Sequence, residues 1–320
     1  MFQRHVAQWG RIHPLNRPLR LSDFLKRDRQ LLQKRCPHLV EQIVATAKTS
    51  RIPEEELFGM NFRIWNFREQ YPSACSILAF HDPHLGLVVG NTLDDPSSAY
   101  QLAEFRPTGQ HRFTTTWWIG SAWAASGFNH AGLIVAQSSM VTGSMKVPDP
   151  EARLSADFLQ RELLATCSTV DEAEKFVRSW PLRNGVNLLL ADKLGNIRLF
   201  QCCPIGIEEI SPVNGVWAVS NHVISPTLRT KMEAAGYIHQ PTTYTLCRMR
   251  YLVEELQEKP KKRTLINLLE ALSSTQDFPD SIANPRTAYT LYWKIQHEPG
   301  VMHYVDGPAI HCKWQTFEFK

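Results

Sequence analysis

Residues 75–95 constrain this chain more than any other stretch. Cys75-Ser76-Ile77-Leu78-Ala79-Phe80 is a short apolar run that follows the small pair Ser73-Ala74. His81-Asp82-Pro83-His84 reads as a turn, and Leu85-Gly86-Leu87-Val88-Val89-Gly90 is a second apolar run. Asn91-Thr92-Leu93-Asp94-Asp95 closes the unit. Two β-prone runs joined by a turn predict a β-hairpin. Antiparallel pairing sets the start of the first strand beside the end of the second, so Cys75 should neighbour Asn91 to Asp94. A thiol beside a carboxylate and amides at a sheet edge is a candidate nucleophile site. From spacing alone the usual reading of such a cysteine is a small buried hydrophobe in a strand.

The rest of the chain predicts mixed structure. Residues 1–74 read as mainly helical. Ser22 is placed to cap a helix carrying Phe24, Leu25, Leu31 and Leu32. Pro37 suits the first turn of a second helix, and Pro53 opens a short third, 54–58, ended by Gly59. Strands are expected at 113–119 and 131–141 around a turn at Gly127, and as a hairpin 186–192/196–203. A helix is expected over 155–167, then another in which Thr169 and Glu172 form a capping box. Further elements are a strand at 215–221, helices at 243–257 and 263–273, and strands at 287–296, 300–306 and 311–319, with a loop at 278–286. No repeat or low-complexity linker interrupts them. This order suits an α+β layered fold.

Composition excludes several classes. A formal net charge of +4 with dispersed Arg and Lys exerts no strong pull on nucleic acid. The dense run Lys259-Pro260-Lys261-Lys262-Arg263 reads as a solvated turn. No run of eighteen apolar residues suggests a membrane span. Met1 to His5 lack an apolar signal core and the C-terminal residues match no address signal, so a cytoplasmic setting is expected. Seven cysteines without framework spacing fit a reducing compartment, with Cys202 and Cys203 on opposite faces of one strand. The histidines lack H-E-x-x-H or paired C-x-x-C spacing, so neither metal nor cofactor is expected.

Several segments, in order along the chain, carry a resemblance. They are Cys75-Ser76, Gly90-Asn91-Thr92-Leu93-Asp94, Gly127-Phe128-Asn129-His130-Ala131-Gly132-Leu133, Asn187 to Asp192 with Gly195-Asn196, Ser220-Asn221-His222, and Thr290 to Pro308. Together they resemble the acyl-CoA:6-aminopenicillanic acid acyltransferase family of N-terminal nucleophile (Ntn) hydrolases, related to the choloylglycine hydrolases. Two positions depart from the family pattern. Asn91-Thr92 stands where relatives usually carry Arg-Asn or Gln-Asn, and Gln201 stands where an acidic residue is common.

The resemblance implies an αββα sandwich with a helical N-terminal pro-segment, 1–74, and a catalytic chain, 75–320. It implies self-cleavage between Ala74 and Cys75, leaving two chains held together by packing. The freed α-amine, with a pKa near about 8, would serve as base for the Cys75 thiol. Asp94 would orient that amine, or else cap a turn. Asn221 is the oxyanion-hole candidate, a contribution of about 3 kcal/mol to the barrier, or else a turn asparagine. Asn91, Trp117, Trp118, Asn129 and His222 form the candidate substrate-contacting set. The tryptophans, with Trp123, read equally as core, and His222 as a packing or supporting group. Arg248 and Arg250 could meet an anionic substrate, with solvation the simpler role for at least one.

Three functions follow. The first is an amidase acting on a small N-acyl amide through a Cys75 thioester. The second is an acyltransferase using acyl-CoA or an amine acceptor. The third is an uncleaved, inactive metabolite-binding relative. Homo-oligomerisation is left open.

Overall fold

The computed structural model describes residues 18–70, 74–95, 100–140, 142, 153–237, 241–259, 263–295, 300–310 and 313–319. The readings made above for Met1 to His5, for Ser73 and for the centre of the basic run, Pro260 to Lys262, lie outside these residues.

Helices α1 (Pro18–Arg35), α2 (Pro37–Ser50) and α3 (Glu54–Gln70) come first. The hairpin follows as β1 (Ala74–Asp82) and β2 (Gly86–Asp94). Then come β3 (Tyr100–Phe105), β4 (Phe113–Trp118), β5 (Gly127–Asn129) and β6 (Leu133–Met140). Helices α4 (Ala156–Thr166) and α5 (Val170–Ser179) precede β7 (Gly185–Asp192), β8 (Ile197–Cys203), β9 (Gly206–Ile210) and β10 (Val216–Val219). The chain closes with α6 (Pro226–Ala234), α7 (Thr243–Leu252), a π-helical turn (Val253–Gln257), α8 (Leu265–Leu272), β11 (Thr287–Ile295), β12 (Gly300–Asp306) and β13 (Gln315–Phe319).

Two antiparallel sheets result. One has six strands in the order β10-β1-β2-β11-β12-β13, and the other has seven, β3 to β9 in sequence order. They face each other across β1, β2 and β6. Side-chain alternation splits the hairpin between two cores. Ile77, Ala79 and Val89 join the core between the sheets. Leu78, Phe80 and Val88 meet Leu252, Leu256, Leu268 and Leu272 of the α7 and α8 region. Burial on both faces explains why the two runs are continuously apolar rather than alternating. Helices α4 and α5 cover the second sheet, and α1 to α3 pack outside them.

The N-terminal helices are tied down by specific contacts. Phe62 of α3 packs on Phe158 of α4 with ring centroids 5.7 Å apart. Asn61 Oδ1 accepts from the Ala122 N–H at 2.7 Å. Asp28, fully buried, receives both terminal nitrogens of Arg183 at 2.5 and 2.6 Å. His38 Nε2 lies 2.8 Å from Glu162 Oε1.

Most expected elements form, and three readings change. Helix α1 begins at Pro18, so Ser22 lies inside it and is not its cap. Helix α3 runs through Gly59 to Gln70, because Leu57, Phe58, Met60 and Phe62 supply a buried face that outweighs the roughly 1 kcal/mol cost of glycine. Gly127 is a strand residue, and the turn lies just after it. Strands β3 and β9 and helix α6 carry too little patterning to be read in advance. The capping pair holds: Thr169 Oγ1 accepts from Glu172 N–H, and Glu172 Oε2 accepts from Ser168 N–H.

Replacing Asp28 with alanine would leave the Arg183 guanidinium half-buried without its partner. We expect a loss of about 3 kcal/mol, read as a lower urea midpoint.

Candidate functional site

Cys75 lies one residue into β1, opposite Leu93, and Ala74 lies opposite Asp94. The expected adjacency of the thiol and the Asn91–Asp94 segment is therefore the register of the hairpin itself. Strand alternation turns Cys75 toward the sheet interface with Ile77, while Asp94 shares the opposite face. The Ala74–Cys75 peptide stands between them.

Its nitrogen is held from β10. Cys75 N–H donates to Asn221 Oδ1 at 2.8 Å. The other end of that side chain, Nδ2, donates to Ser139 O at 2.8 Å. A donor on one side and a carbonyl on the other fix the orientation of the amide. In this intact chain Asn221 therefore presents its carbonyl to Cys75, and its NH2 group, expected at an oxyanion, faces Ser139.

A hydroxyl chain backs this contact. Ser220 Oγ donates to Cys75 O at 3.2 Å, and Thr245 Oγ1 donates to Ser220 Oγ at 2.9 Å. Asn221 N–H donates to Thr245 Oγ1 at 2.9 Å, and His222 Nδ1 lies 3.0 Å from that oxygen. Because the single Thr245 proton goes to Ser220, Nδ1 of His222 carries the hydrogen in its own contact. Two hydroxyls, those of Thr245 and Ser220, thus link His222 to the Cys75 carbonyl. It also forms one wall of an open cleft of about 470 Å³ on the far side of α7, lined by Leu246, Met249 and Val253.

Asp94 is held from β11 and α7. Thr287 Oγ1 donates to Oδ1 and Asn284 Nδ2 to Oδ2, each at 2.8 Å. Arg248 Nη1 lies 3.2 Å from Oδ2, and both side chains are essentially inaccessible. Burial pushes the Asp94 carboxyl above its ordinary range, against the opposing pull of Arg248, Asn284 and Thr287. Burial likewise lowers the Arg248 guanidinium from its ordinary value. Thr245, Arg248 and Leu252 form the buried face of α7, at the i, i+3, i+7 spacing of one helix side. One helix therefore serves both ends of the site. Arg250 points away and pairs with Asp277 at 2.6 Å, so the two arginines divide into a buried and a solvated one.

Two of the proposed substrate contacts, Asn129 and Asn91, make buried hydrogen bonds within the fold. Asn129 makes four hydrogen bonds: Nδ2 donates to Leu164 O and Cys167 O, and Oδ1 accepts from Ala131 N–H and Leu133 N–H. It ties the β5–β6 turn to the end of α4. A side chain at Gly127 would lie 2.2 Å from Thr114 O, and Gly132 has φ +104, so the glycines of this segment are dictated by backbone approach and turn geometry. Asn91 spans the sheets. Its Nδ2 donates to Ser76 O at 3.0 Å and Gln137 O at 3.1 Å, and its Oδ1 accepts from Ser126 Oγ at 2.8 Å.

Trp117 donates to Ser121 O at 2.8 Å and meets Phe105. Trp118 stacks on Trp123 with ring centroids 5.8 Å apart. Trp123 leads through Tyr100 to Tyr289, beside the Asp94 end of β2. Trp118 and Trp123 therefore belong to an aromatic column in the core, and the partly exposed Trp117 lies outside it.

Gln201 organises the loop after Asn221. Its Oε1 accepts from Ile224 and Ser225 N–H, both at 2.8 Å. Its Nε2 donates to Asn187 Oδ1 at 2.7 Å and His222 O at 3.0 Å. A carboxylate could not make the last two bonds. Among the described residues no group of three His, Cys, Asp or Glu could hold a metal ion, and no helix is long and apolar enough to cross a membrane.

Two facing antiparallel sheets flanked by helices define the αββα sandwich of the Ntn hydrolases. A Caenorhabditis elegans ortholog of N-acylethanolamine-hydrolyzing acid amidase shares this fold with TM-score 0.50 at 12% identity, covering 69% of this chain and 93% of its own. A mutant conjugated bile acid hydrolase of Clostridium perfringens aligns at TM-score 0.48 and 10% identity, covering 77% and 97%. Penicillin V acylase of Agrobacterium tumefaciens aligns at 0.44 and 14%, covering 72% and 83%. No curated protein sequence matches the chain. The sequence model of the acyl-coenzyme A:6-aminopenicillanic acid acyl-transferase family matches residues 89–293, and the chain belongs to that family. The matched stretch contains Asp94, Asn221 and Arg248 and begins after Cys75.

Gln201→Glu should cost about 2–3 kcal/mol of stability, because Asn187 Oδ1 and His222 O would face a carboxylate. Chemical denaturation at neutral pH measures it.

Proposed function

We propose that this chain is a self-processing cysteine amidase of the Ntn type. The observation that carries the reading is the Cys75 N–H···Asn221 Oδ1 bond at 2.8 Å, formed where Asp94 sits opposite Ala74. The Cys75 nitrogen is thereby positioned before it becomes an α-amine. In processing, the Cys75 sulfur attacks the Ala74 carbonyl carbon. The C–N bond breaks, a C–S thioester forms, and the nitrogen gains the thiol proton. Water then cleaves the thioester to an Ala74 carboxylate and a free Cys75 thiol, leaving chains 1–74 and 75–320 associated.

In turnover the α-amine takes the thiol proton and the thiolate attacks a small N-acyl amide. The resulting ammonium protonates the departing amine. Asn221 Oδ1 and Asp94 orient the α-amine, and Thr245 and Ser220 keep Asn221 in place. Asn221 Nδ2 would reach an oxyanion only by leaving Ser139. Water completes hydrolysis, and an amine acceptor in its place gives acyl transfer. The acyl-transferase name of the family favours keeping that second outcome in view. Partition of the acyl group between water and added amines separates the two.

Denatured mass of the purified protein tests the reading. Wild type should yield two fragments split between Ala74 and Cys75, and Cys75→Ala one intact chain. A single wild-type chain would favour an inactive, metabolite-binding relative. Thr245→Val removes the hydroxyl that fixes Asn221, and should slow processing by about 10²-fold, followed as fragment yield over time.

A further inference from the structure

The outer face of α7 carries an apolar cleft that the Cys75 site does not use. It holds about 470 Å³, and its described lining comes from α7, the π-helical turn and the residue after it, with His222 the exception. Leu246, Met249 and Val253 lie along one side of the helix at the i, i+3, i+7 spacing. Thr245, Arg248 and Leu252 form the buried face. Leu246 is 46% exposed, so the strip faces water and not a core. Apolar surface held open in a cleft is released from water when a ligand covers it.

The charges beside the strip decide what can cover it. Arg250 is the fixed cation of the described lining, and Asp277 already holds it at 2.6 Å. Glu254 and Glu258, one helical turn apart, line the same cleft and are exposed. Among the described residues neither carboxylate has an ion pair or a hydrogen bond, whereas Glu255 between them takes Lys259 at 2.6 Å. Arg250 answers first to Asp277, and Glu254 comes last among the groups that act on it. Two unpaired carboxylates therefore stand beside an apolar strip whose cation is already engaged. An anion would be repelled there, and a cation on an apolar chain suits both features.

We propose that the outer α7 cleft binds an amphiphilic amine, with its ammonium between Glu254 and Glu258 and its alkyl chain over Val253, Met249 and Leu246. Leu246 and Glu254 are eight residues apart, about 12 Å along a helix axis, so the chain must be long enough to reach back from the acidic end. A cleft of about 470 Å³ suits one such chain. A helix about 10–12 Å across is bulkier than this space. The site lies on the other side of α7 from Thr245 and Arg248, and stands whether or not the chain cleaves itself.

Cys247 lines the same cleft and supplies a local readout, because it is partly exposed while the other free cysteines among the described residues are buried. The full chain is alkylated with iodoacetamide, a neutral reagent, and labelling of Cys247 is followed by mass spectrometry of its peptide. The probes are dodecylammonium, dodecanoate and ethylammonium, each kept below micelle formation. Dodecylammonium should protect Cys247 saturably, at about tenfold lower concentration than dodecanoate, as two exposed carboxylates can provide. Ethylammonium, with the charge and no chain, should not protect at these concentrations. Glu254→Gln combined with Glu258→Gln should bring dodecylammonium and dodecanoate together. Both positions are exposed, and thermal melting checks that the variant folds.

Equal protection of the wild type by dodecanoate overturns the proposal, as does protection by ethylammonium alone. Absence of protection by dodecylammonium overturns it too, including the case in which a basic amphipathic peptide protects instead. An undiminished preference for dodecylammonium in the doubly substituted chain would place the cation elsewhere and equally end the assignment.

Discussion

Strand β1 is covered on both faces, and this double burial governs the rest of the site. A strand between two cores has no water to satisfy the polar groups at its end, so each must find a partner in the protein. At Cys75 those partners come from three directions. Asn91 on the neighbouring strand links Ser76 O to Gln137 O across the sheets. Asn221 takes the Cys75 N–H, and Ser220 donates to the Cys75 carbonyl. Gln201 and Thr245 then hold the Ser220–His222 segment from β8 and from α7. What looks in sequence like a scatter of short polar motifs is one continuous satisfaction problem. Such a network restrains the Cys75 backbone at both its N–H and its carbonyl.

The electrostatics on the other side of the Ala74–Cys75 bond are balanced differently. Asp94 is well supplied with neutral donors, while Arg248 has its ion-pair contact with Asp94 at 3.2 Å and no hydrogen bond among the described residues. Were the pair purely structural, the arginine would be the more expensive member, since its unpaired N–H groups gain nothing from burial. Its place on α7, one turn from Thr245, means that the helix couples the two ends of the site. A shift of α7 along its axis would disturb the Asn221 clamp and the Asp94 contact together.

The hairpin register, the layered architecture and the pairing of Cys75 with the Asn91–Asp94 segment were all legible in the sequence, because continuous apolar runs bounded by turn residues admit few arrangements. The duties of the individual asparagines were not. Asn91, Asn129, Asn187 and Asn221 share a residue type and similar local settings, yet it is Asn221 that accepts from the Cys75 N–H, through its carbonyl rather than its amide. Which end of an amide faces a neighbour depends on contacts from residues far along the chain, such as Ser139, and no local pattern encodes it. Arg248 was visible only as one of two arginines on a helix. The helical period places 245, 248 and 252 together, but the weakly amphipathic segment gave no reason to turn that face inward. The length of α3 was hidden for the converse reason: tertiary burial overrode a glycine that reads as a stop.

The contacts of α1 to α3 bear on what self-cleavage would accomplish. Cutting the link between α3 and β1 removes one covalent connection and none of the Asp28–Arg183, Phe62–Phe158 or Asn61–Ala122 contacts. Those contacts join residues more than sixty positions apart and are made with parts of the chain well beyond Cys75. A segment anchored by a bidentate ion pair to the fully buried Asp28 and by aromatic packing does not depart because its end is freed. The expected change is therefore local. It is confined to the strand end at Cys75, while the contacts that hold the N-terminal helices stay in place.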